Sequence, residues 1–293
     1  MALITTLDQA VTDTNLLPLG AIRLLSETVT DPTDANRVCG IAGPFTAEIN
    51  GDGYFTDQTL TENLGKTITF TGAAVHYFWT SNGSYEIFVK PKYGLLQLIL
   101  SANGVYADID TLAYMTDCET MMFASELTKG DISNIKECPA LTSLRRTTTT
   151  LALDGIEGDV DELLDNVPSL RTLDMSRTRC KATLKKIAES SLTTLSLFMT
   201  EAVSGDLSEF ADYTQFESFS IGALRVGVNT KITGSITALG KNINATRLGV
   251  AYTSVTGTCD DLAAALAANG KTSGTVSITD GSGTTKSFTF PLS

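Results

Sequence analysis

A spacing of large apolar residues, apolar-x-x-apolar-x-apolar, returns along the last two thirds of this 293-residue chain. Its copies are Leu95/Leu98/Leu100, Cys118/Met121/Phe123, Leu170/Leu173/Met175, Leu192/Leu195/Leu197, Phe216/Phe219/Ile221 and Ala245/Leu248/Val250. Leu141/Leu144 is a partial copy whose last position is Arg146, and Val276/Ile278 is a degenerate final one. The seven copies begin at residues 95, 118, 141, 170, 192, 216 and 245. A second motif runs in phase between them: a small residue, a polar one, an aliphatic, two polar residues and another apolar. Gly130-Asp131-Ile132-Ser133-Asn134-Ile135 and Gly205-Asp206-Leu207-Ser208-Glu209-Phe210 show it clearly. It also opens at Ala107, Gly158, Ala182, Gly234 and Gly257. The alternating apolar part is a short strand with one buried face. The Gly-Asp-Ile part turns the chain and sends one aliphatic inward. Stretches such as 161–167 and 262–268 are expected to be short helical or irregular segments whose apolar residues close the coil. One such coil cannot bury its own face, so coils must stack and their strands must form a parallel sheet.

These motifs resemble the leucine-rich-repeat family. The Gly-Asp-Ile-Ser element is similar to the bacterial surface-type repeats of gut Bacteroidales and their phages. The resemblance spans about residues 95–279 and implies an α/β solenoid, a right-handed coil with a parallel sheet. The family's asparagine after the strand is replaced here by Ser or Thr, as in Leu173-Asp174-Met175-Ser176-Arg177-Thr178. At the C-terminus, 275–279 and 286–290 flank Asp280-Gly281-Ser282-Gly283, which predicts a β-hairpin cap over the open end of the stack.

The first ninety residues lack the repeat. Residues 1–37 are polar, contain Pro18 and Pro32, and read as an extended N-terminal arm. Residues 38–91 carry β-rich runs at 45–49, 66–71, 75–80 and 85–90, which predict a small antiparallel β domain, a sheet or a sandwich. Asn50-Gly51-Asp52-Gly53 and Ser81-Asn82-Gly83-Ser84 are expected hairpin turns. The solenoid with its cap then occupies 92–293.

Composition narrows the chemistry. The chain has 21 basic and 33 acidic residues, a net charge of −12. Such a surface lacks the cations that release phosphate counterions, so no nucleic-acid partner is expected, nor binding to anionic lipid. No apolar run is long enough for a membrane span, so no membrane insertion is expected. The N-terminus carries no secretory signal pattern. Five dispersed cysteines without C-x-x-C read as reduced, buried small hydrophobes. A reducing cytoplasm is the expected place of synthesis.

Sites of chemistry are scarce. The single histidine, His76, excludes multi-histidine metal sites and reads as a packed strand residue. The loop from Asn50 fails the calcium pattern, with Tyr54 and Thr61 at ligand positions. Asp108, Asp131, Asp159 and Asp206 align between repeats as a conceivable cation ladder, but Asp bonding its own turn is the simpler reading. No nucleotide-binding glycine motif is present. The sequence therefore predicts no catalytic residue, metal or cofactor.

Interaction candidates lie on the outer strand positions. In the middle repeats these are Arg171, Thr172, Asp174, Thr193, Thr194, Ser196, Glu217, Ser218 and Ser220, mostly small and hydroxylated, which suggests a solvated face. Phe198 is the one aromatic beside them. In the first repeats Leu96, Ile99 and Met122 take such positions and require a cover, either the N-terminal domain or another subunit. Trp79 with Tyr77 and Tyr85 reads as core or interface, with sugar stacking as the alternative.

The repeat resemblance implies a non-enzymatic virion protein of a tailed phage: a fibre, a decoration or a host-contacting component. Its partners would be other virion proteins or host surface molecules, and symmetric homo-oligomers are common in that role. The alternative is a bacterial leucine-rich-repeat adhesin or interaction scaffold at the cell surface or in the cytoplasm. A polysaccharide depolymerase using paired carboxylates is a weaker alternative.

Overall fold

The computed structural model describes residues 21–26, 38–56, 62–91, 94–100, 105–124, 128–146, 155–200, 202–223 and 231–292. The chain divides into two compact units, Met1–Glu157 and Gly158–Ser293.

Among the described residues the first unit holds two larger sheets, and Gly130 and Asp131 pair in parallel with Ile156 and Glu157 outside them. One is antiparallel, in the order Thr67–Phe70, Phe45–Asn50, Tyr85–Lys90, Ile22–Ser26, Val105–Ala107. In the other, Phe55–Thr56, Val75–Thr80, Val38–Ala42 and Gln97–Leu100 pair antiparallel, and Thr120–Phe123 and Ser143–Arg146 then follow in parallel. The parallel strands stack like with like, with Leu98 opposite Met121 and Met121 opposite Leu144. Arg146, which breaks the apolar pattern, still takes the inward position opposite Phe123 and is buried. The two sheets meet through aromatic rings, Phe45 lying 6.1 Å from Phe78.

Most of the expected arm lies outside the described residues, and Ile22–Ser26 is a strand with alternating burial, bonded on both sides. Strand pairing also crosses the boundary expected at residue 91. Val38–Ala42 pairs with Gln97–Leu100, and Ile22–Ser26 pairs with Val105–Ala107, so backbone hydrogen bonds tie the N-terminal strands to the first coils. The turn at 81–84 joins strands of different sheets. It is a corner of a sandwich rather than a hairpin, because Val75–Thr80 pairs with Val38–Ala42 whereas Tyr85–Lys90 pairs with Ile22–Ser26.

The second unit is a stack of α/β coils. Thr172–Asp174, Thr194–Phe198, Ser218–Gly222, Arg247–Ala251 and Gly274–Thr279 run parallel, and Thr285–Phe290 returns antiparallel as a hairpin. Leu173, Leu195, Phe219, Leu248 and Ile278 form one inward row, all fully buried. Phe210, Tyr213, Phe216 and Phe219 fill part of this core, with Phe210 and Phe219 rings 5.3 Å apart. Short back strands, Arg179–Thr183, Ala202–Asp206 and Ile232–Thr233, pair in parallel on the return path. Each leads into a helical turn, such as Leu184–Ala188 or Leu207–Phe210, and the last coil carries the longer helix Cys259–Ala268.

Local chemistry fixes where each coil bends. The aligned aspartates are helix N-caps. Asp159 accepts from the Asp161 N–H at 2.9 Å and Asp206 from the Ser208 N–H at 2.9 Å, as Asp108 and Asp131 do in the first unit. Thr258 completes a capping box with Asp261. Gly205 precedes its cap at φ +135°, where a Cβ would stand 2.9 Å from Leu184 Cβ of the preceding coil. After the strands, Arg177, Met199 and Tyr252 take positive φ, and a threonine follows each. Thr178 Oγ1 donates to the Met175 carbonyl at 2.7 Å, Thr200 Oγ1 to the same carbonyl at 3.0 Å, and Thr253 Oγ1 to Val250 at 2.7 Å. Threonine hydroxyls thus satisfy the carbonyls at the end of these strands.

Candidate interaction surface

On the second unit the outward residues fall into straight cross-strand rows. One row is Thr172, Thr194, Ser218, Arg247, Ser277 and Ser287. The next is Asp174, Ser196, Ser220, Gly249, Thr279 and Thr285. A third begins with Phe198, opposite Gly222, which is opposite Ala251. Side chains two residues apart on a strand share a face, so these rows display short hydroxyl groups at strand spacing. The hydroxyls partly bond one another: Ser176 and Ser196 are 2.7 Å apart, Thr279 and Thr285 2.9 Å.

The face is not uniform. A hollow of about 210 Å³ opens where the second row reaches Gly249. Ser220, Gly249, Ala251, Thr279 and Thr285 line it with Phe198, Tyr252 and Arg247. Phe198 is half-buried and Arg247 is exposed. No carboxylate lies within ion-pair distance of Arg247 among the described residues. Residue-by-residue reading picked out Phe198 but missed Tyr252 and Arg247, which approach it only through the stacking of coils. The glycine at 249 inside an alternating strand was the available signal.

In the first unit the sheet brings three of the other candidates together. Tyr77, Gly40, Ile99, Met122 and Arg145 form one cross-strand row. Trp79 lies two residues beyond Tyr77 on the same face. Tyr77 is half-exposed and its ring crosses Gly40, where a Cβ would meet it at 2.7 Å. Leu96, Ile99, Met122 and Trp79 are half-buried. Leu96 precedes the strand, and its N–H bonds the Ala42 carbonyl. The N-terminal strand Val38–Ala42 lies beside Ile99 in the same sheet, so it widens this face instead of covering it. Tyr85 does not join Tyr77 and Trp79. It is buried, with its hydroxyl donating to the Ser81 carbonyl, so no three-ring platform exists.

The remaining titratable groups serve structure. His76 stacks on Phe70 at 4.7 Å and meets Phe45 edge-on. All five cysteines are buried free thiols, and burial pushes the Cys39 and Cys259 thiols up and Cys118 up to about 12, which disfavours the thiolate at those three. The Ser208 N–H and hydroxyl hold the Asp206 carboxyl below the usual carboxylate range, with the Thr233 hydroxyl adding to them. At Asp280 burial pushes the carboxyl upward, and hydrogen bonds from Ser282 and Thr284 outweigh it, so the net direction is down. Among the described residues no three metal-ligating side chains gather.

No protein-family model and no curated protein sequence matches this chain. Among solved structures, internalin C2 of Listeria monocytogenes is similar at 12 % identity and a TM-score of 0.37, over 61 % of this chain and 78 % of that one. A second internalin from the same organism is similar at 17 % identity and a TM-score of 0.32, over 56 % of this chain and 55 % of its own. The strand register and in-phase coils themselves define a leucine-rich-repeat-like, solenoid-type α/β fold. No helix among the described residues is long and apolar enough to cross a membrane.

Proposed function

We propose that this chain is a non-enzymatic recognition protein that meets its target with the outer faces of its parallel strands. One observation carries the reading. The outward positions of successive coils stand in register, from Thr172 through Ser287, as a continuous display of short polar groups. Their chemistry suits contact with a surface better than bond breaking, since the aligned aspartates are committed to capping helices. Parallel crossovers run right-handed as a rule, and in this reading the coils do so, with the C-terminal hairpin as their cap. In this reading the protein is part of a tailed-phage particle, bound to other virion proteins or to host surface molecules; the resemblance of its repeat to those of gut Bacteroidales and their phages supports it. A second copy of the chain is the proposed partner of the face that holds Tyr77, Trp79, Ile99 and Met122.

The test is attachment of the labelled full chain to intact Bacteroidota cells, beside a variant carrying Thr194→Lys and Ser218→Lys. Both positions are half-buried on the outer row. The expected result is saturable attachment that weakens by roughly tenfold in the variant without a change in melting. Absent attachment, or equal attachment by both proteins, overturns the reading.

A further inference from the structure

Gly249 is the starting point. Each other described glycine has a visible reason to be glycine: positive φ, or a neighbour closer than 3.0 Å to the Cβ it lacks. Gly222 has both, at φ +120° and with a Cβ position only 1.9 Å from the Ala251 carbonyl oxygen. Gly40 lies under the Tyr77 ring. Gly249 has neither. A Cβ there would touch nothing nearer than Thr279 Cβ at 3.5 Å, an ordinary contact. Glycine inside a strand weakens it relative to residues with side chains. The strand carries that weakness for no conformational gain, and its effect is to keep the hollow open.

The lining then specifies what enters. Phe198 and Tyr252 offer ring faces, to which C–H groups of a flat ligand pack. Ser220, Thr279 and Thr285 put three hydroxyls on the floor, and each hydroxyl can donate once and accept twice. Arg247 is the one charged side chain in a row of hydroxyls, and it has no carboxylate partner among the described residues. A guanidinium so placed matches a carboxylate in bidentate geometry. At about 210 Å³ the hollow is smaller than the usual pocket for a drug-sized ligand, and suits a single ring.

We propose that this hollow is a binding subsite for one acidic sugar residue, a hexuronate unit of a polysaccharide. The carboxylate meets Arg247, the hydroxyls meet Ser220, Thr279 and Thr285, and the C–H face packs on Phe198 and Tyr252. The assignment rests on the reading of the outer face as a recognition surface, and it names the chemistry that one part of that face selects.

The experiment is isothermal titration of the full chain with trigalacturonate, with neutral maltotriose and acidic triglutamate as comparison probes. Gly249→Val places a β-branched side chain in the hollow, at a position where a Cβ makes only ordinary contacts. Arg247→Gln removes the charge at an exposed site. The expected result is saturable binding of trigalacturonate that is lost in Gly249→Val, whose melting is unchanged. Binding should weaken by roughly tenfold in Arg247→Gln, and maltotriose should bind correspondingly less well than trigalacturonate. Absence of saturable trigalacturonate binding overturns the proposal, as does full binding by Gly249→Val. Equal binding of triglutamate overturns it in favour of an acidic peptide. If trigalacturonate fails while cell attachment still depends on Thr194 and Ser218, the sugar assignment falls alone. If both fail, the recognition reading falls with it.

Discussion

Gly205 and Gly249 carry opposite meanings, although both are single glycines within repeats. Gly205 sits at φ +135° with its missing Cβ directed 2.9 Å from Leu184 Cβ, so a side chain there meets both strain and a clash. Gly205→Ala is expected to lower stability by about 2–3 kcal/mol in urea unfolding, whereas Gly249→Val should stay within about 0.5 kcal/mol. Equal effects at the two positions would contradict the backbone description. The first role was legible in the sequence, because a glycine before Asp-Ile or Asp-Leu recurs in phase. The second was not, because the roominess of a position depends on residues such as Tyr252 and Thr285, which come near only after coils stack. Threonine at 178, 200 and 253 is intermediate: the missing asparagine was visible, but the hydroxyl bond to Met175 or Val250 was not.

Among elements, the parallel strands were the most readable part of the chain, because the same apolar spacing is repeated and each copy supports the others. Leu195 shows why the spacing is demanding. It is fully buried between Leu173 and Phe219 in the inward row. Leu195→Asp places an unpaired carboxylate there and should cost more than about 4 kcal/mol, enough to unfold the coils. A soluble variant with unchanged melting would refute this register. Elements without a repeat were harder to read. Ile22–Ser26 is five residues inside a polar stretch, and its strand character comes from partners at 85–89 and 105–107 that no local pattern announces. For the same reason the turn at 81–84 looked like a hairpin. A glycine turn between two β runs marks a reversal, and only the distant strand Val38–Ala42 decides that the second run leaves for another sheet.

At the scale of the molecule, charge and exposed apolar surface pull in different directions. A net charge of −12 opposes indiscriminate self-association. The row of Tyr77, Ile99 and Met122 gives one face that favours a specific contact. If a second copy docks there, light scattering should give a mass at a multiple of 31.1 kDa, and Tyr77→Lys with Met122→Lys should return it to 31.1 kDa. A 31.1 kDa particle at every concentration would exclude that partner. The register has a further consequence. Leu195 pairs with Phe219, 24 residues on, and Phe219 with Leu248, 29 residues on, yet both pairs stand directly opposite. Differences in coil length are therefore absorbed away from the displayed strands. An insertion between a strand and the next Gly-Asp turn leaves the outward rows aligned, while substitutions within those rows leave the inward leucines untouched. Lineages carrying such a chain can rewrite its displayed residues and lengthen its coils independently, a freedom useful to a protein whose target itself changes.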